Sequence, residues 1–132
     1  CRKFCNDNIT LTADITLKII GLTHMEREIV AYTVLYNTYP LPAYEDFESD
    51  ISRESYVVIA KLSAILRVSN AMDRSHKQKF KNVRAAVKGK ELVITIETDD
   101  DIALEKALFD AKVSYFENIF SIKPVVKEKR VY

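Results

Sequence analysis

The sequence predicts an α+β protein, with helices first and then a small unit built from two strands, a helix and a last strand. Two observations predict it. Through residue 79 the apolar residues recur at three- and four-residue steps, and after Phe80 their period falls to two. Around Gly89 two alternating runs face each other across a short turn, the pattern of a β-hairpin.

The 132 residues suit one domain, or two lobes sharing a core. The expected division is a helical part over 1–79 and a ββαβ lobe over 80–132, together one compact unit. Lys and Arg number 20 against 19 Asp and Glu, so no strong field points to nucleic acid or to a membrane surface. No apolar run is long enough to span a bilayer, and no basic-plus-apolar leader opens the chain, so a cytoplasmic location is expected. With two glycines and three prolines, glycine-rich phosphate loops are not expected. The chain begins without Met, which suggests a piece of something longer.

Cys1 and Cys5 form a C-x3-C pair. It reads either as half a metal site or as two free thiols; no second Cys pair follows, and His24 and His76 are distant in sequence. Thr12 to Ile20 reads as a short helix with Asp14 in its first turn, stopped by Gly21. Thr23 and Glu26 then have the spacing of a capping box. The helix they open runs from about His24 to Tyr36, with Met25, Ile29, Tyr32 and Tyr36 as its apolar stripe. Pro40 and Pro42 end it in an extended loop.

Residues 43–51 interleave Asp46, Glu48 and Asp50 with Tyr44 and Phe47. They read as a cation site or as a solvated loop held by two aromatic anchors. Ser52 caps the next helix, expected as one long element from Ser52 to Lys79. Val57, Val58, Ala60, Lys61, Ala64, Ile65, Val68, Ala71 and Met72 mix two adjoining apolar faces, so it is expected to pack on more than one side. Near its end Arg67, Asn70 and Arg74 share a face, and Asp73 stands four before Lys77. Cations there compensate the helix dipole, or they form an anion site through bidentate Arg contacts.

Val83, Ala85 and Val87 alternate up to Lys88-Gly89-Lys90, and Leu92, Ile94 and Ile96 alternate on the return. Thr98-Asp99-Asp100-Asp101 reads as a helix cap or as a magnesium site, although it lacks the alternation of a calcium loop. The helix from Ile102 to Phe120 is expected to bury Leu104, Leu108, Ala111, Tyr115 and Ile119, flanked by Phe109 and Phe116. A last strand spans Ile122 to Val131, with Pro124 tolerable at an edge, which completes a ββαβ lobe with an antiparallel-rich sheet. Walker, dinucleotide, H-E-x-x-H and G-x-S-x-G motifs are all missing, so a self-contained enzyme is not expected.

The strings GLTHMEREIVAYTVLYN and KLSAILRVSNAMDRSHKQKFKNV, the K-G-K hairpin and the FENIF helix end together resemble the C-terminal part of Ppx/GppA family exopolyphosphatases. The resemblance covers about Leu17 to Val126 and is most specific at Gly21–Arg27 and Leu66–His76. It implies an HD-like helical bundle followed by a small α/β lobe. The parent hydrolase would act on polyphosphate or guanosine pentaphosphate, with magnesium, in N-terminal domains of its own. Asn70 stands where HD hydrolases carry their last metal-binding Asp, and a neutral amide is a poor ligand for a hard cation. The resemblance therefore implies an accessory, non-catalytic domain without a cofactor of its own. Its implied partners are inorganic polyphosphate, the parent's catalytic domains and a second copy in a homodimer. Arg67, Arg74, His76, Lys77 and Lys79 are the expected polyphosphate contacts. The alternative is a purely structural interaction module with no polyanion affinity. A free-standing HD phosphohydrolase would require metal-dependent turnover by this chain alone.

Overall fold

A computed structural model describes residues 20–47 and 50–129. Cys1, Cys5, Asp14, Glu48 and all of the 12–20 helix except Ile20 lie outside the described residues. The protein is α+β, with three helices and a three-stranded mixed sheet among the described residues. It divides into two compact units, Cys1–Ser63 and Ala64–Tyr132. This boundary falls inside the long helix, 16 residues before the 79/80 division expected from the sequence.

In the first unit, helix α1 (His24–Thr38) starts on the capping box expected of it. The Glu26 N–H donates to Thr23 Oγ1 at 3.2 Å, and the Thr23 N–H donates to Glu26 Oε2 at 2.7 Å. Its buried residues are Ala31, Thr33 and Leu35, while Met25 is exposed. The aromatic residues of the expected stripe instead meet the loop. Tyr32 lies 4.9 Å from Phe47 between ring centroids, Tyr36 lies 5.7 Å from it, and Phe47 packs edge-on against Tyr56. Phe47 and Tyr44 anchor the acidic loop, whose residues Tyr44–Asp46 form one 3-10 turn. The Tyr44 hydroxyl donates to the Ile51 carbonyl, and the Tyr56 hydroxyl donates to the Pro42 carbonyl at 2.7 Å. Burial, and then the charge of Glu45, push the Tyr56 phenol above its usual range.

Helix α2 (Arg53–Met72) is capped by Ser52, whose Oγ accepts the Ser55 N–H at 3.1 Å. It is shorter than the expected Ser52–Lys79 element. Its buried residues, Ser55, Ile59, Ala60 and Ser63 in the first unit and Ala64, Val68 and Ala71 in the second, together cover more than half of the helix circumference, as two adjoining faces require. Val57, Val58 and Ile65 are exposed instead.

The second unit holds strands β1 (Lys81–Lys88) and β2 (Glu91–Glu97), helix α3 (Ala103–Phe120) and strand β3 (Lys123–Lys129). Gly89, at φ 61, opens the two-residue turn between β1 and β2, a position that favours glycine because a Cβ is strained there. The sheet order is β1-β2-β3; β1 and β2 run antiparallel, whereas β2 and β3 run parallel. The sheet is thus mixed rather than antiparallel-rich, because α3 returns the chain to the starting end before β3 begins. Pro124 sits on the edge strand β3, opposite Leu92, where its missing N–H is tolerated.

Helix α3 turns a different face inward from the one its periodicity suggests. Glu105, Phe109, Val113 and Phe116 are buried, while Leu104 and Ala111 are exposed. Phe109, Val113 and Phe116 join Ala64, Val68, Ala71, Ile94, Ile96 and Ile102 in one core. Each Val, Ile or Phe among them contributes roughly 1.5–3 kcal/mol on burial. The inward glutamate is the reason the expected stripe lies one residue out of phase.

Candidate functional site

The basic string after α2 takes its shape from Asp73. The His76 N–H donates to the Asp73 carbonyl and the Gln78 N–H donates to Asp73 Oδ1, each at 3.0 Å. His76 (φ 54) and Gln78 (φ 49) both adopt left-handed backbone, which no α-helix continues. Helix α2 therefore ends at Met72, with Arg67 and Asn70 on the helix and Arg74 on the turn beyond it. The Asp73 carboxylate serves the turn, not the expected pairing with Lys77. Arg74, His76 and Lys77 are all exposed, and none forms an ion pair with any described residue.

Lys79 has another task. Its Nζ donates to the Asp101 carbonyl at 2.6 Å and to Glu105 Oε2 at 3.2 Å. The lysine side chain is 17% exposed and that of Glu105 only 1%. A carboxylate under apolar cover needs such a partner, since an unpaired buried charge is strongly destabilising. The nearby Ser75 hydroxyl is the largest influence holding Glu105 below the usual carboxylate range. The glutamate's own backbone N–H and Lys79 add to it, and desolvation opposes all three. Ser75 Oγ and Glu105 Oε1 are both buried, and neither meets ordinary hydrogen-bond distance and angle limits with any partner.

Arg67 is half-buried, with its guanidinium carbon 4.0 Å above the centroid of the Tyr115 ring. Asn70, which the resemblance puts at the degenerate HD position, is exposed on α2. The five expected phosphate contacts thus separate by role. Arg74, His76 and Lys77 stand in solvent, whereas Arg67 stacks on a tyrosine and Lys79 neutralises a core carboxylate.

Sequence spacing missed Glu105, although 105, 109, 113 and 116 form a helical register of their own. It also missed the outer face of the sheet. There the register aligns Arg84, Thr95 and Lys127 in one row and Lys88, Glu91 and Lys123 in another, with the apolar row Ala86, Val93 and Val125 between them. Glu97 on the same face accepts from Asn82 Nδ2 at 2.6 Å and pairs with Lys129 at 3.6 Å. The Asn82 hydrogen bond leads in lowering its pKa, with Lys129 and Arg84 adding to it against desolvation.

The aspartate run is used locally. Asp101 Oδ1 accepts the Ala103 N–H at 3.0 Å at the start of α3, and Asp99 pairs with Lys81 at 3.6 Å. Among the described residues no three His, Cys, Asp or Glu side chains cluster as metal ligands would. Among the same residues no helix is long and apolar enough to cross a membrane. No protein-family model matches the sequence, and no curated protein is significantly similar to it.

Proposed function

We propose that the chain is the C-terminal accessory domain of a cytoplasmic exopolyphosphatase or guanosine pentaphosphate phosphohydrolase. Its helices are the HD-like part and its ββαβ lobe the appended unit. It grips polyphosphate and dimerises, while the magnesium-dependent chemistry belongs to catalytic domains elsewhere in the parent. One observation carries the polyphosphate reading: Arg74, His76 and Lys77 are exposed together on a turn fixed by Asp73, with no described carboxylate paired to them. Clustered cations in solvent suit a ligand of repeating negative charge, whose binding is driven by counterion release. The strings at Gly21–Arg27 and Leu66–His76 supply the family context.

The test is binding of long-chain polyphosphate by the full chain at several salt concentrations. Affinity should fall steeply with salt, and R74A/K77A should lower the log–log slope by about 0.7 per cation removed, the value for single-stranded polyanions. Unchanged binding by that variant would remove the turn from the site. The interaction-module reading draws on Val57, Val58 and Leu62, which are exposed on α2. It predicts no affinity for polyphosphate, together with concentration-dependent self-association in sedimentation.

A further inference from the structure

The two edges of the sheet are unlike. On β3, Pro124 offers no N–H, and Glu128 is tied to Lys106 of α3 at 2.5 Å. On β1 all eight residues are exposed, Val83 by 49% and Val87 by 62%, and no described strand pairs with the outer edge. An unpaired strand edge is a template for another strand. Beside it lies a groove of about 970 Å³, with Val83 and Ala85 on its β1 wall and Leu92, Ile94, Phe116 and Phe120 further in. The opposite face of β1 carries Arg84 and Lys88, both exposed.

We propose that the outer edge of β1 and this groove bind an extended segment of a partner protein in which apolar residues alternate with Asp or Glu. An added strand sends alternate side chains to opposite faces. One set enters the groove beside Val83 and Ala85, and the other meets Arg84 and Lys88. The stretch from Arg84 to Lys88 accommodates about 17 Å of extended chain at about 3.4 Å per residue. A second copy of β1 is a poor occupant, because full antiparallel self-pairing would set Lys81 of each copy opposite Lys88 of the other. The chain's own acidic–aromatic loop is also committed, with Phe47 against Tyr32 and the Tyr44 hydroxyl on Ile51. Polyphosphate matches the cations but has nothing to put in an apolar groove.

The experiment titrates the isotope-labelled full chain with an acetylated octapeptide alternating valine and glutamate, following amide shifts. Shifts confined to β1 and the groove residues support the proposal. R84E/K88E, at two exposed positions, should retain the native amide spectrum and weaken this peptide by at least about tenfold. The same variant should gain affinity for a valine–lysine octapeptide. Absent shifts, shifts elsewhere, or equal binding of both peptides by the native chain would overturn it. So would polyphosphate displacing the peptide while shifting the Arg84 and Lys88 amides alone, which would assign the face to phosphate.

Discussion

Glu26 and Glu105 are both first-turn glutamates, and they do opposite things. Glu26 is exposed and reaches back three residues to close a capping box on α1. Glu105 points into the core of the second unit, held by a lysine 26 residues earlier in the chain. Both positions favour a carboxylate through the helix dipole. What separates them is the distance in sequence of the partner. A partner one turn away fixes a helix start; a distant one sets which face of a finished helix points inward.

The sharpest way to break the contrast is Lys79→Met. It leaves Glu105 under apolar cover without its cation, so the loss of stability in urea should exceed the roughly 1 kcal/mol ceiling of surface ion pairs. The double variant K79M/E105L, with both ends apolar, should recover most of that loss. The pH dependence has a definite sign. The Glu105 pKa is lowered on folding, so its contribution is present above the unfolded carboxylate value of about 4.3 and is lost as pH falls through the folded value. Removing Lys79 deletes one of the influences that lower it, so acid unfolding of Lys79→Met should begin at higher pH than in the native chain.

Thr23→Ala tests the local partner. It removes the acceptor for the Glu26 N–H and should destabilise the chain by about 1 kcal/mol in the same titration, with Thr23→Ser near neutral. Smallest of all is Glu45→Gln, which breaks an ion pair with Arg53 at 3.5 Å between two well-exposed side chains. Its effect should stay below about 0.5 kcal/mol and shrink further with salt. If Lys79→Met changed stability no more than Glu45→Gln, the buried pair would have no organising role.

The same distinction explains what the sequence reveals. The Thr23–Glu26 box, the Ser52 cap, the Gly89 turn and edge-tolerant Pro124 are all legible, because each depends on one residue type at a fixed local offset. The end of α2 is not, because it depends on Asp73 capturing the Gln78 N–H and on two left-handed residues that are not glycine. The buried face of α3 is misphased because periodicity leaves a glutamate outside unless its cation is known. The parallel pairing of β3 was within reach, since a helix between two strands returns the chain to its starting end. For the candidate site, sequence marks the cluster of cations but not their roles. Lys79 and Arg67 look the same as Arg74 until Glu105 and Tyr115 are placed beside them.

The polyphosphate affinity of R74A/K77A against that of the native chain, measured as a function of salt, tests the functional account most directly. The account predicts salt-sensitive binding by the native chain and a slope lower by about 1.4 in the variant. Native-chain binding that ignores salt, or a variant with an unaltered slope, would contradict it.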